Sequence, residues 1–351
     1  MTDRLDFGLD TFGDITVGSD GKLLSHAQVL RNVIAEAELA DQVGVDVFGV
    51  GEHHRPDFAI SAPEVALAAI AARTRNIRLG SSVTVLSTDD PVRVYERFTT
   101  LDGISGGRAE IILGRGSFIE SYPLFGYSLD NYDALFEEKL ALFVELLKYD
   151  QTGEPVTWKG SLRPSLERQR PFPRTESGRL AVWIGVGGSP ESVLRAARYH
   201  LPLTLAIIGG DPRRFRSYVQ LYHNALDELG QARLPIAVHS PGYVADSDGQ
   251  ARTELFAPWS EMRNRIGAER GWPPTTAREL EQEIESGSLY VGAPDTVARR
   301  IAATIRALGV VRFTMKYSAG TLAHEKLMRC IELFGREVIP RVRELIRAQP
   351  D

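Results

Sequence analysis

Two textures alternate along the chain. Eight short runs of apolar or β-branched residues, at 5–9, 45–50, 77–86, 109–113, 180–186, 201–208, 235–245 and 311–318, are separated by longer stretches with apolar residues at helical spacing. Several runs are almost continuously hydrophobic, as in strands covered on both faces of a parallel sheet. The helical stretches have legible beginnings. Ser25 followed by Gln28 is a capping-box pattern ahead of Leu30, Val33, Ile34, Ala37 and Ala40, and Ser61 followed by Glu64 repeats it. Pro91, Pro190, Pro212 and Pro294 fall where a first helical residue needs no N–H. A final helix over about 323–348 contains Pro340, which should kink it or end its first part. Strand and helix alternate about eight times with no linker-like stretch, which favours a closed (β/α)8 barrel, the TIM-barrel class of α/β fold, over an open doubly wound sheet. Residues 1–351 therefore read as one barrel domain with two insertions. One, at about 150–180, is interrupted by Pro155, Pro164, Pro171 and Pro173, and the other, at about 246–290, carries charged helical segments at 251–268 and 275–286. Long excursions in a compact domain are usually functional, and the second is expected to cover the active face.

Composition removes whole classes of function. The 351 residues hold 41 Lys and Arg against 46 Asp and Glu, a net charge of -5, too mixed and too acidic for a nucleic-acid surface. Cys330 is the single cysteine, which excludes an internal disulfide framework, a cysteine zinc site and an iron–sulfur cluster, and fits a reducing, cytoplasmic setting. No apolar stretch follows the opening Met1-Thr2-Asp3-Arg4-Leu5-Asp6, so no secretory signal is expected. No window approaches the ~18 uncharged apolar residues that a membrane helix needs. Lysine is scarce, and only Lys316 falls on a strand run, so a Schiff-base aldolase has one candidate.

Active groups in such a barrel sit where strands end and loops begin. The second run ends in Gly51-Glu52-His53-His54-Arg55-Pro56, whose histidines could be metal ligands, a catalytic or ligand-orienting group, or a packed loop. Neighbouring side chains on a strand diverge, and no His-Glu-x-x-His is present, so no metal site is expected. The third run has small residues, Gly80, Ser81 and Ser82, that either taper the barrel interior or admit a ligand. The fourth closes on Leu113-Gly114-Arg115-Gly116-Ser117, where Arg115 suits a phosphate or carboxylate or simply a surface turn. The fifth, Ile184-Gly185-Val186-Gly187-Gly188-Ser189-Pro190-Glu191-Ser192, joins glycines, a serine N-cap and a first-turn proline. That brings free backbone N–H groups and the positive helix end to one point, an anchor for a mononucleotide or sugar phosphate unless it is a plain glycine-rich turn. Pro190 breaks the dinucleotide fingerprint, no P-loop is present, and no Gly-x-Ser-x-Gly elbow occurs. Cys330 lies inside the last helical pattern and reads as a buried spectator.

Taken together, these segments resemble the bacterial luciferase-like family of flavin-dependent monooxygenases, over nearly the whole chain. The densest matches are Gly51-Glu52-His53-His54, Asn76-Ile77-Arg78-Leu79-Gly80, Asp90-Pro91-Val92-Arg93 with Glu96, and Leu101-Asp102-Gly103-Ile104-Ser105-Gly106-Gly107-Arg108 leading into Gly114-Arg115-Gly116. Further matches are residues 183–192, Val291-Gly292-Ala293-Pro294 and the tail Ile331 to Pro340. Met315-Lys316-Tyr317-Ser318-Ala319-Gly320-Thr321 and His324-Glu325-Lys326 point to an uncharacterised subgroup.

The resemblance implies a barrel, commonly a homodimer, that binds flavin mononucleotide (FMN) at the C-terminal strand ends. It implies oxygenation of a small organic substrate by reduced FMN and O2 through a peroxyflavin, with the reduced flavin in some relatives supplied by a separate NAD(P)H:flavin reductase. His53 would sit beside the flavin ring, and Ser82 and Val83 match a non-prolyl cis peptide behind it. Arg115, with Gly187, Gly188, Ser189 and Ser192, would hold the phosphate. Gly114 stands where luciferases have a reactive cysteine, so light emission is not implied, and the glycine-rich anchor departs from luciferase's own. A deazaflavin-dependent dehydrogenase on the same barrel, or a flavin-binding protein without turnover, are the alternatives.

Overall fold

The computed structural model describes residues 5–116 and 118–348; Ser117, at the end of the Gly114-Arg115-Gly116-Ser117 turn, lies outside them, as do Met1 to Arg4. Eight parallel strands close into a barrel: β1 Asp6–Thr11, β2 Val47–Val50, β3 Arg78–Val85, β4 Ala109–Gly114, β5 Ala181–Val186, β6 Leu203–Ala206, β7 Ile236–Val244 and β8 Arg312–Lys316. Each pairs with its neighbour in this order, and β8 returns to β1 with Asp6 beside Arg312 and Asp10 beside Lys316. Each overlaps one of the hydrophobic runs, six lying wholly inside theirs, while β1 runs two residues and β4 one residue beyond. A short strand, Tyr290–Gly292, extends the sheet beside the upper half of β7.

The strand alternation sorts two chemistries. Phe7 and Leu9 of β1, Phe48 and Val50 of β2, and Phe313 and Met315 of β8 are fully buried and belong to the hydrophobic core. The intervening positions face the lumen: a Cβ built on Gly8 would lie 2.7 Å from Thr314 Oγ1, and one on Gly49 would lie 3.0 Å from the Asp10 Cβ. At the N-terminal end of the lumen Arg312 holds Glu110 through two bonds of 2.5 and 3.1 Å and lies 4.5 Å over the Trp183 ring, while Arg78 reaches Asp6 at 2.5 Å.

The helix beginnings follow the sequence with one exception. Ser25 accepts from the Gln28 N–H, and Ser189 from the Ser192 N–H. Ser61 makes no cap: Pro63 takes the first helical position, so the cap falls on Ala62, which has no side-chain oxygen. Pro212 opens a 3-10 turn rather than the following helix. Near the C-terminus, Pro340 follows a π-helical turn, Phe334–Val338, that joins the helices His324–Leu333 and Ile339–Arg347. Cys330 is buried there, accepts from the Val244 N–H at 3.2 Å, and burial pushes its thiol up to about 12, an inert position.

The stretch expected to be irregular at 150–180 contains a short antiparallel hairpin, Val156–Trp158 with Leu166–Gln169. Residues 246–290 form two helices, Asp248–Arg270 and Ala277–Glu285, the second opened by a complete capping box at Thr276 and Glu279. Among the described residues no helix is long and apolar enough to cross a membrane.

Candidate active site

At the C-terminal rim, the β3 strand carries the main irregularity. The Ser82–Val83 peptide is cis, and the register with β4 shifts between Ser82 and Thr84. Glu52 at the end of β2 satisfies the groups this releases: its N–H donates to the Val83 carbonyl at 3.2 Å and its Oε2 accepts from the Val85 N–H at 2.8 Å. Its other oxygen takes His54 Nε2 at 2.9 Å, so His54 is turned away to orient the loop. The strand and loop approach closely enough that a Cβ on Gly51 would lie 2.9 Å from the Ser82 carbonyl oxygen. Gly114 is constrained from the other side, because a Cβ there would lie 2.7 Å from Val83 Cγ2. Val83 thus fills the space that a cysteine side chain at position 114 would need.

His53 points the other way, into an aromatic box of Phe12, Phe58 and Phe118, with ring centroids 4.4, 4.7 and 5.2 Å away. Burial, then the charges of Lys316, His54 and Arg55, push its pKa down to about 3 against a smaller opposing pull from Asp14. Neutral at any ordinary pH, the imidazole carries one donor and one lone pair, and neither ring nitrogen is hydrogen-bonded to the described residues. The cation behind it is fixed. Lys316 Nζ lies 4.6 Å over the Phe12 ring, bonds both Asp14 oxygens at 3.1 and 2.9 Å, and donates to the Ser318 carbonyl. Asp14 also accepts from Ser318 Oγ and the Gly320 N–H, and although burial alone would raise its carboxyl, Lys316 and these bonds hold it below the usual range. Lys316 is fully engaged and available to no Schiff base.

The phosphate-type residues assemble on the same face. Ser189 caps the helix Pro190–Arg198, and Gly187 before it has open space around its Cα. Gly188 sits at φ +128, its carbonyl held by Tyr218 Oη at 2.7 Å. Two guanidiniums converge on Ser192 Oγ, Arg115 at 3.2 Å and Arg195 at 3.4 Å. Arg195 is buried and braced by Glu137 at 2.6 Å, whereas Arg115 stacks over Tyr132 and pairs with exposed Asp133. The sequence reading missed Arg195, although it lies one helical turn beyond Ser192, and it missed the role of Glu52.

The end of the helix Asp248–Arg270 is clasped onto this rim. Arg55 binds Glu269 at 2.5 and 2.9 Å and also Glu120 and Asp57, while Arg265 reaches Asp57 at 2.9 Å. Arg55 and Arg270 both lie over Phe118, one wall of the small pocket that also holds Glu52, His53 and His54.

Residues 11–312 match the family model described as luciferase-like monooxygenase. The chain belongs to that family. A 4-hydroxyprotoasukamycin monooxygenase from Streptomyces nodosus subsp. asukaensis is 31% identical over 87% of this chain and 85% of its own. In three dimensions, a monooxygenase from Streptomyces bottropensis superposes with a TM-score of 0.81 at 25% identity, covering 96% of this chain and 99% of that one. The oxygenating constituent of 3,6-diketocamphane monooxygenase from Pseudomonas putida, a type II Baeyer-Villiger enzyme solved with FMN, shares the fold with a TM-score of 0.78 at 20% identity over 97% of this chain and 99% of that one. Membership of the luciferase-like family places this chain among oxidoreductases that incorporate oxygen.

Proposed function

We propose that this luciferase-like chain binds FMN at the C-terminal rim of its barrel and, with the flavin reduced, uses O2 to oxygenate a small organic substrate. The observation that carries the reading is the convergence of Arg115 and Arg195 on Ser192 at a capped helix start beside Gly187 and Gly188. Two cations, free backbone N–H groups and the positive helix end suit a doubly charged phosphate. The donor set therefore fits a phosphorylated flavin. In this reading Arg115, Gly187, Gly188, Ser189 and Ser192 hold the phosphate, and Ser82 and Val83 back the ring. Bound there, the reduced flavin would supply the two electrons that activate O2, one atom of which goes to the substrate while the other leaves as water.

The chain's own residues do the rest. His53, neutral among aromatic rings, offers a proton donor or acceptor without adding charge next to the ring. Phe12, Phe58 and Phe118 keep water from it, as a reactive oxygenating site requires. The helix Asp248–Arg270 closes the rim through Arg55. A homodimer, one barrel domain with two insertions, and a separate reductase supplying reduced flavin belong to the same reading.

Titration of FMN with the purified chain tests it. The expected result is quenching of flavin fluorescence and oxidation of reduced FMN faster than in buffer. No quenching and no acceleration would overturn the reading, and preferential binding of a deazaflavin would redirect it to a dehydrogenase.

A further inference from the structure

One polar cluster at the rim of the lumen is left incomplete. Asp10, the penultimate residue of β1, is fully buried, and neither carboxylate oxygen makes a hydrogen bond to the described residues. His239 of β7 places Nε2 3.0 Å from Asp10 Oδ2, yet the two are not aligned, and that nitrogen too is buried without a hydrogen bond. Thr204 Oγ1 is a third such group. It shares its face of β6 with Ala206, the residue in register with His239, so all three point into the lumen. The cluster lies at the height of the candidate site: Ala206 is the last residue of β6, and a Cβ on Gly49 would lie 3.0 Å from the Asp10 Cβ and 3.2 Å from the Ser82 Cβ.

A buried carboxylate without donors is unfavourable, and at the other end of this lumen the chain avoids it by giving Glu110 the two-pronged Arg312. What completes Asp10 and His239 must bring a proton donor. We propose that Asp10 and His239 form the proton-accepting end of the substrate pocket, and that the substrate presents to it an acidic hydroxyl of the phenol or enol class; this rests on the reading of the chain as a flavin-dependent monooxygenase. The side chain of His239 keeps 11% of its surface exposed while Nε2 has none, so the reachable edge of the ring is the one bearing Nδ1. Once the ring turns its Nε2–H into line with the carboxylate, it offers the Nδ1 lone pair to the substrate. The substrate O–H bond breaks, its proton passes to Nδ1, and the oxygen keeps the electron pair as phenolate or enolate. Asp10 faces the imidazolium so formed. The carbon conjugated with the oxyanion becomes electron-rich, which favours oxygen transfer to it. An aliphatic alcohol is too weak an acid to use this device.

The test uses the full chain with FMN and a matched pair of probes, 4-nitrophenol and its methyl ether 4-nitroanisole. The expected result is binding of the phenol at least about tenfold tighter than the ether, with the phenolate absorption band appearing at a pH where the free probe is protonated. Asp10→Asn and His239→Gln should each abolish the band and bring the two probes to similar affinity. Equal affinity for both probes in the wild type, or binding of neither, overturns the proposal, and that comparison needs no variant to fold. FMN quenching is followed in the same samples. A wild type that binds FMN but does not discriminate the probes loses only this inference, whereas one that binds no FMN loses the functional reading beneath it.

Discussion

The two ends of the barrel lumen are lined by similar residues and finished differently. At the N-terminal end Arg312, Glu110, Arg78 and Asp6 form a set in which every charge faces its opposite and Arg312 lies over the Trp183 ring, although Arg312 Nε itself has no hydrogen bond to the described residues. At the C-terminal end Asp10 and His239 stand close but unbonded, and His53 sits neutral among rings with no hydrogen bond from its ring to the described residues. The Arg312–Glu110 pair is as buried as Asp10 and His239, so burial does not distinguish structure from function here. Completion does. The closed end secures the barrel, and the open end leaves capacity for a ligand, as expected of the two faces of this fold.

The sharpest way to break that comparison is to remove one charge from each end. Arg312→Met leaves buried Glu110 facing only the more distant Arg78, 3.9 Å away, and should cost about 3–5 kcal/mol in urea unfolding. Asp10→Asn removes a carboxylate that no donor satisfies and should change stability by less than about 1 kcal/mol, or raise it. Similar losses in both would erase the distinction. Next in size is Gly114→Ala, whose methyl meets Val83 and should cost up to about 3 kcal/mol in thermal unfolding, recovered in large part by Val83→Ala. If the single change is silent, Val83 is not what keeps position 114 small.

A smaller effect is expected from His53. Its folded pKa of about 3 lies below the ordinary 6.5, so the folded state holds fewer protons than the unfolded chain between those values. The stability contributed by the neutral ring is present above pH 6.5 and is lost as pH falls toward 3. Between pH 7 and pH 5 the loss should be about 2 kcal/mol, and His53→Phe should lack that share of it. Identical acid sensitivity in the two proteins would show that His53 is not held neutral.

Much of the architecture was legible because each strand of a helix-covered parallel sheet is marked locally by its own hydrophobic run. The long-range pairs were not. Lys316 meets Asp14 across 302 residues and Arg312 meets Glu110 across 202, and no local pattern announces either. The subgroup motif reads in three dimensions as a clamp: Lys316, Ser318 and Gly320 converge on Asp14, Tyr317 and His324 on Glu36, and Thr321 on Glu261. Arg115 and Ser192, which follow different strands and which the family resemblance assigns to one phosphate, are bonded to each other. Asp10 and His239 belong to no motif, and the signal available for them was a lone ionisable residue, just past the end of one hydrophobic run and in the middle of another.

Calorimetric titration of the chain with FMN and with riboflavin, which lacks only the phosphate, tests the central claim most directly when repeated on Arg115→Ala. The account predicts that the wild type prefers FMN by about tenfold or more and that the preference shrinks sharply in the variant while riboflavin binding is unchanged. Equal affinity for the two flavins in the wild type, or an undiminished preference in Arg115→Ala, would contradict it.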